Sequence, residues 1–264
     1  MVLNYYTGND RIKKRLPKMD DEQKQYTGMG INKHFLIVGG TGSGKSNALY
    51  DYLIQTSTPK KGTFRHIYIC YKTDEILYDD LKEELKNGVS FFKSVAEFPK
   101  VDDFPDAITD DFKNKYLVVF DDCINDKDKE SYKKIKDFFT YGRKKNVTIV
   151  YLAQSFFDAD GFIRKQMSYL LLLSIKGKTD LNNILREYGS LQASPAELYR
   201  IFKIATTPKD ENDIPFLKID CNKCPDDKKF SRDFLDYIPY KSELDEKKHG
   251  NKDDDAQIIV RGQK

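Results

Sequence analysis

The chain contains the sequence HFLIVGGTGSGKS at residues 34–46. Its apolar part, Phe35 to Val38, is short and rich in branched side chains, which is typical of a buried parallel strand. Residues 39–46 fit the pattern Gly-x-x-x-x-Gly-Lys-Ser, and a helical pattern follows over residues 47–55. A strand, a glycine-rich loop and a helix in this order predict a loop that binds the phosphate groups of a nucleotide.

The chemistry of phosphate binding explains the residue types in this loop. Glycines allow the backbone to curl so that successive N–H groups point at phosphate oxygens, and a helix that starts near Lys45 adds its positive end. Lys45 supplies a full charge for the β- and γ-phosphates, and the hydroxyl of Ser46 is the expected Mg²⁺ ligand. We therefore predict that the chain binds Mg²⁺ and a nucleoside triphosphate through Gly39, Gly40, Thr41, Gly42, Ser43, Gly44, Lys45 and Ser46.

Length and charge allow several classes of partner. The 264 residues fit one large α/β domain, or one domain with extensions. With 45 basic and 42 acidic residues the formal net charge is only +3, which neither requires nor excludes nucleic acid. Any affinity for DNA must therefore come from a local basic surface.

Cysteine usage and hydropathy bear on the compartment. Four cysteines without a secretory signal favour a reducing interior, and the longest apolar run, Tyr169 to Leu173, is too short to span a bilayer. We expect a soluble, intracellular chain with no membrane partner. Cys221 and Cys224 have the spacing of zinc ligands, but a single CxxC pair is a weak signal for a metal site.

The pattern of strands and helices predicts an α/β fold with a central, mostly parallel sheet flanked by helices, as in the RecA-like (ASCE) P-loop NTPases. We divide the chain into a polar N-terminal arm (1–33), an ATPase core (34–220) and a charged, largely flexible C-terminal extension (221–264). Further strands are expected at 65–71, 89–92, 116–120, 147–153, 169–175 and 215–220. Helices are expected at 74–86, 127–141, 178–188 and 194–205, and in the first of these Ile76, Leu77, Leu81 and Leu85 should face inward.

A second diagnostic segment is the apolar strand 116–120, which runs directly into Asp121 and Asp122. Ligands bind at the carboxyl ends of the strands in open parallel sheets. Asp121 is therefore placed to orient the Mg²⁺ shell beside Ser46, and Asp122 to polarise the attacking water as general base.

The strand 147–153 has one polar residue of interest at each end. Gln154 follows it and should emerge on the same edge as Asp121, where its amide can contact the γ-phosphate or hold the lytic water. Arg143 precedes it and should lie at the opposite edge, too far away to serve its own nucleotide. If Arg143 is catalytic, it must act in trans on the γ-phosphate of a neighbouring subunit.

Three motifs, taken in their order along the chain, resemble those of a known family. The segments GGTGSGKS (39–46), VVFDD (118–122) and YGRKKNVTIVYLAQS (141–155) together resemble those of the poxvirus-type genome-packaging ATPases. These belong to the FtsK–HerA superfamily of ring-shaped DNA translocases. The resemblance covers roughly residues 34–175, and its most specific part is the stretch 142–154.

The resemblance implies roles for individual residues. Arg143 matches the arginine finger given to the adjacent subunit, and Gln154 matches the γ-phosphate sensor. Arg164 matches a further arginine with a second-rank role at the subunit interface or nucleotide. Two positions depart from the family pattern: Lys144 stands where poxvirus members often carry His, and Asp122 stands where many relatives have Glu.

The resemblance implies an ATP-driven motor that moves double-stranded DNA into a preformed capsid. It further implies a homo-oligomeric ring (a pentamer or hexamer), capsid vertex proteins as partners, and a location in the host cytoplasm, a viral factory or the virion. Three alternatives stay open from sequence: a DNA pump of the conjugation or segregation type, a small-molecule P-loop kinase, and a nucleotide-gated scaffold with negligible hydrolysis.

Overall fold

The computed structural model describes residues 26–57, 63–110, 113–123, 128–189, 193–222 and 224–240. The strands are β1 His34–Val38, β2 His66–Tyr71, β3 Val89–Phe92, β4 Tyr116–Asp121, β5 Val147–Ala153, β6 Tyr169–Leu172, β7 Leu217–Asp220, β8 Phe230–Arg232 and β9 Asp236–Tyr237. The helices are α1 Lys45–Thr56, α2 Ile76–Leu85, α3 Lys129–Tyr141, α4 Gly161–Lys165, α5 Lys178–Tyr188 and α6 Pro195–Thr206.

One sheet organises the described residues, in the order β3-β2-β4-β5-β1-β6-β7-β8-β9. The strands from β3 to β6 in that order run parallel, and the last three are antiparallel to their neighbours. The predicted α/β fold with a mostly parallel central sheet is confirmed.

Burial follows from the position of the strands. Every residue of β1, β4, β5 and β6 is buried, which explains why these strands read as continuous apolar runs. Helices cover both faces: Phe138 of α3 meets Phe120 on one face, and Tyr52 of α1 meets Phe35 edge-on at 4.8 Å on the other. Two apolar layers therefore hold the sheet in place.

The register brings the ends of three strands together. β5 lies between β1 and β4, with Val38 opposite Ala153 and Asp121 opposite Leu152. Because the three strands are parallel, the residues that follow Val38, Asp121 and Ala153 emerge at one edge of the sheet. The candidate site lies at that edge.

The sheet extends beyond the predicted core. β8 and β9 pair onto β7, and Phe230 and Ile238 are buried. The predicted boundary at residue 221 is therefore wrong for residues 224–240, which complete the sheet. The remainder of the predicted C-terminal extension, residues 241–264, lies outside the described residues.

The predicted N-terminal arm is also shorter than expected. Met29 is fully buried, and the N–H of Gly30 donates a hydrogen bond of 3.0 Å to the hydroxyl of Tyr169. The end of the segment 1–33 is thus packed onto the sheet, whereas residues 1–25 lie outside the described residues.

Helix α2 shows a different inward face from the predicted one. Its buried residues are Tyr78 and Leu81, while Ile76 is 86% exposed and Leu85 is also exposed. The prediction of Ile76 and Leu85 as core residues is wrong, because the helix starts only at Ile76 and turns its tyrosine toward the sheet.

Helix α3 leads into β5 through a short 3-10 turn, Gly142–Lys145. Gly142 caps α3 with ordinary helical dihedral angles, and the left-handed conformation falls instead on Asn146, at φ 54°. Among the helices of the described ranges, none combines the length and the apolar composition that crossing a bilayer requires.

Candidate nucleotide-binding and hydrolysis site

The phosphate loop joins β1 to α1. The start of the loop is bound to the sheet, since the N–H of Gly39 donates to the carbonyl of Ala153 at 3.2 Å. Within the loop, the N–H of Ser43 donates to the carbonyl of Gly40 at 3.1 Å. Gly42 and Gly44 have φ of 73° and 94°, a region that side chains with a Cβ rarely occupy. Glycine adopts these angles without a steric penalty, so the backbone can curl as a phosphate-binding loop requires.

Lys45 begins α1 and folds back over the loop. Its Nζ donates to the carbonyl of Gly39 at 3.0 Å. Ser46 follows in the first turn of the same helix, so the ammonium group, the hydroxyl and the positive end of α1 lie together. This combination suits a triphosphate, which carries several negative charges.

Asp121 is a buried carboxyl group at the end of β4. Its Oδ2 accepts a hydrogen bond of 2.7 Å from the hydroxyl of Tyr78 in α2. Burial raises the pKa of Asp121 to about 6; the Tyr78 hydrogen bond and the charge of Lys45 oppose that rise, and the neighbouring charge of Asp122 adds to it. Ionising Asp121 therefore costs free energy in the folded protein, and a bound cation would offset that cost.

Ser46 and Asp121 offer a hydroxyl and a carboxylate oxygen at the same edge, the hard oxygen ligands that Mg²⁺ prefers. The raised pKa of Asp121 fits this role, because a cation favours the ionised form of its ligand. The described residues contain no group of three or more His, Cys, Asp or Glu side chains that could hold a metal by themselves. An ion here would therefore complete its shell with water and phosphate oxygens, as Mg²⁺ commonly does.

Asp122 and Gln154 are directly linked. Gln154 Nε2 donates to Asp122 Oδ2 at 2.8 Å, and Thr41 of the phosphate loop donates from Oγ1 to Gln154 Oε1 at 3.3 Å. Asp122 has φ 50°, and its N–H donates to the carbonyl of Leu152 at 3.2 Å. The structure thus joins loop, strand-end acid and strand-end amide in one hydrogen-bonded chain.

Arg143 lies at the opposite end of β5, as its place in the sequence predicts. Its Nη2 donates to Ser168 Oγ at 3.1 Å, and its carbonyl accepts from Asn32 Nδ2 at 3.2 Å. The side chain is otherwise exposed. Beside it, burial lowers the pKa of His34 to about 4, and the positive charge of Arg143 contributes to that shift.

Arg164 belongs to α4 and contacts the segment that follows Gln154. Its Nη1 donates to the carbonyl of Ala159 at 2.7 Å, and its guanidinium lies 4.9 Å and 5.0 Å from the ring centres of Phe156 and Phe157. These contacts hold the loop beyond β5. The structure does not bring Arg164 into the hydrogen-bonded chain of Thr41, Gln154 and Asp122.

Tyr78 is the site residue that sequence reasoning missed. Its hydroxyl bonds Asp121, and its ring packs edge-on against Tyr71 at 5.3 Å. The spacing of Tyr78 and Leu81, about one helical turn apart, could have indicated the face of α2 that the structure buries. The prediction instead gave priority to the more strongly apolar Ile76 and Leu85.

The sheet, the phosphate loop and the acidic end of β4 define a P-loop ATPase. The comparisons agree and give the family. A family model described as "Poxvirus A32 protein" matches residues 30–247, and the chain belongs to this family of viral genome-packaging ATPases. No curated protein sequence matches the chain.

Solved structures share the fold at low sequence identity. The DNA-packaging ATPase B204 of Sulfolobus turreted icosahedral virus superposes with a TM-score of 0.51 at 13% identity, covering 80% of this chain and 99% of that one. The packaging NTPase B204 of Sulfolobus turreted icosahedral virus 2, in complex with sulfate, gives 0.50 at 14%, covering 81% and 100%. The cytoplasmic domain of the Thermomonospora curvata type VII secretion ATPase EccC gives 0.51 at 16%, covering 81% and 26%.

Proposed function

We propose that this ATPase moves double-stranded DNA into a preformed capsid, and that it hydrolyses Mg-ATP at the seams of a homo-oligomeric ring. Membership of the poxvirus A32 protein family supports the packaging role. DNA is the proposed cargo because the similar Sulfolobus turreted icosahedral virus protein is described as a DNA-packaging ATPase. Capsid vertex proteins are the partners that such a role requires.

Within one subunit, Lys45 neutralises the β- and γ-phosphates while the loop N–H groups hold them. Asp122 polarises the attacking water as general base, and Gln154, hydrogen-bonded to both Asp122 and Thr41, senses the γ-phosphate. Ser46 and Asp121 would hold Mg²⁺, which would supply positive charge to neutralise the phosphate oxygens.

The position of Arg143 is the observation that supports a ring of subunits. β5 has seven residues, and at ~3.3 Å per residue its ends lie about 20 Å apart. Arg143 precedes this strand and the phosphate loop meets its other end, so the guanidinium cannot reach the nucleotide of its own subunit. We infer that it acts on the γ-phosphate of the adjacent subunit.

Arg164 has a supporting role in this proposal. Its contacts with Ala159, Phe156 and Phe157 fix the loop directly after Gln154. A change in the contacts of Gln154 after phosphate release can therefore pass to this loop. We assign Arg164 to the positioning of that loop at the subunit interface.

The decisive experiment mixes two inactive variants. Arg143→Ala should keep ATP affinity but lower turnover by about 10³–10⁵-fold, and Asp122→Asn should also be inactive. In a 1:1 mixture about a quarter of the seams combine an intact Asp122 with an intact neighbouring Arg143, because the contact is head-to-tail. Mixing should therefore restore a substantial part of the DNA-stimulated ATPase activity.

Lys144→Ala is the matched control, since Lys144 is the next exposed cation on the same turn and its Nζ lies 5.8 Å from the ring centre of Tyr141. It should keep its turnover. Lack of rescue by assembled, folded variants would refute action in trans. Turnover that is independent of both DNA and protein concentration would refute the motor and favour a small-molecule kinase.

A further inference from the structure

A cavity lies next to the phosphate loop, against the side of α1. It has a volume of about 350 Å³, within the usual range of small-molecule pockets. One wall is α1, with Asn47, Asp51 and Ile54, and the opposite wall is the connection between α6 and β7. The cavity therefore begins one residue beyond Ser46.

Ile214 brings the α6–β7 connection into contact with the phosphate loop. A Cβ placed on Gly44 would lie 2.3 Å from Ile214 Cγ2, so the isoleucine side chain rests directly on this glycine. Ile214 is nevertheless 45% exposed and lines the cavity. An exposed branched side chain here gives the loop an apolar surface for a flat ring to pack against.

A buried arginine holds this connection in place. Arg232 of β8 donates from Nη1 to the carbonyls of Thr207, at 2.7 Å, and Ile204, at 3.1 Å. Its Nη2 bonds the carboxylate of Asp213, the residue before Ile214. Because both ends of the connection bind one rigid guanidinium group, Ile214 is fixed over Gly44.

The charge of the cavity indicates what it accepts. Asp51, Asp213 and Asp233 line it, and burial raises the pKa of Asp233, with the charges of Asp213 and Asp51 adding to the rise. Arg232 pairs with Asp213 and Asp233 and offsets part of this charge. The carboxylates still disfavour a phosphate group and accept hydrogen bonds from hydroxyl and amino groups. The cavity thus suits a neutral, donor-rich group next to an anionic one, which is the nucleoside part of a nucleotide.

The direction of the nucleotide agrees with this. If Asp122 and Gln154 act on the γ-phosphate as proposed, the α-phosphate of the same nucleotide would lie at the first turn of α1. A chain leaving that turn meets Asn47 and then the cavity.

We propose that this cavity binds the base and ribose of ATP, with Ile214 as the wall for the base and Arg232 as the residue that positions this wall. The proposal rests on ATP binding at the phosphate loop, as set out under the proposed function.

The test compares ATP with inorganic tripolyphosphate, which fills the phosphate loop but has no nucleoside. Ile214→Ala should weaken ATP binding by about tenfold in calorimetric titration, as expected for lost apolar contact in a pocket, and leave tripolyphosphate within about twofold. Ile204→Ala is the matched control: Ile204 is 44% exposed, sits beside the same Arg232, and does not line the cavity.

Arg232→Gln tests the positioning role. It should lower the ratio of ATP to tripolyphosphate affinity in the same direction as Ile214→Ala, whereas a purely structural defect would weaken both ligands equally. ATP affinity that is unchanged in Ile214→Ala, or an equal loss for both ligands, would overturn the nucleoside site. Failure of the unaltered protein to bind either ligand would instead refute the proposed function.

Discussion

The buried negative charge of Asp121 lowers the stability of the folded protein. The carboxyl group is buried at the end of β4, and its pKa rises from 3.8 to about 6. Near pH 7 the folded protein holds it as a carboxylate against the desolvation cost, with the Tyr78 hydroxyl as its hydrogen-bond donor. The unfolded chain carries no such cost.

This predicts that Asp121→Asn stabilises the protein while abolishing hydrolysis. Because the folded pKa lies above the unfolded one, the ionised carboxylate lowers the free energy of unfolding progressively between about pH 4 and pH 6. The asparagine variant should gain about 1–3 kcal/mol at pH 7 and nothing below pH 4. Denaturant titrations at several pH values measure this difference.

Asp102→Asn is the control, since it removes the same charge from an exposed position. It should leave the free energy of unfolding almost unchanged across this pH range. A gain for Asp121→Asn that does not vary with pH would contradict the burial argument.

The site residues differ in how far sequence could predict them. Asp121, Asp122 and Gln154 each end an apolar strand, so the rule for parallel sheets predicts their common edge. Tyr78 could not be placed in this way, because its contact with Asp121 depends on how α2 lies against the sheet. Ile214 was missed for a similar reason, since it sits in a connection without a periodic pattern.

At the scale of elements, the helices depend on local caps. Ser194 precedes α6 and its Oγ accepts a hydrogen bond from the N–H of Glu197 at 3.2 Å, while Pro195 occupies the first turn. This satisfies one of the N–H groups that have no partner within the helix. The start of α6 is therefore encoded in its own sequence.

Ser194→Ala should lower the free energy of unfolding by about 1 kcal/mol, because the cap hydrogen bond is lost. Ser194→Asp should restore most of the loss. Thr140→Ala is the control, since it removes a hydroxyl that bonds the Lys136 carbonyl inside α3, where alanine is a better helix former. Equal destabilisation by Ser194→Ala and Thr140→Ala would argue against a capping effect.

Some strands are encoded in their own sequence, whereas others form only because a neighbouring strand offers a partner. β1, β4 and β5 have apolar runs long enough to be recognised from sequence. β8 and β9 contain three and two residues, too few for a pattern, and exist because β7 offers them a partner. This is why the core was predicted to end at residue 220.

At the scale of the whole molecule, Lys218 joins three distant segments. It lies in β7 with 1% of its surface exposed, and its Nζ donates to the carbonyls of Thr27, at 3.0 Å, and Phe234. The ammonium group also faces the ring of Tyr237 at 5.3 Å. The segment before β1 and the turn after β8 thus share one buried cation.

Lys218→Met should lower the free energy of unfolding by about 2–4 kcal/mol, because two buried carbonyls lose their donor. Hydrogen exchange should then speed up together at residues 29–30 and 231–238. Lys209→Met, at an exposed lysine, should leave both regions unchanged. Faster exchange in only one of the two regions would contradict a shared role.

The two margins of the sheet have a further consequence. In the described ranges the outermost strands are β3, with four residues, and β9, with two, and β3 is followed directly by the ion pair of Lys93 with Asp74. Short outermost strands with charged residues beside them offer few unpaired peptide groups to a second sheet. Fibre-like polymerisation through the sheet is thereby disfavoured, so copies that crowd together can meet through their helices and loops and still separate.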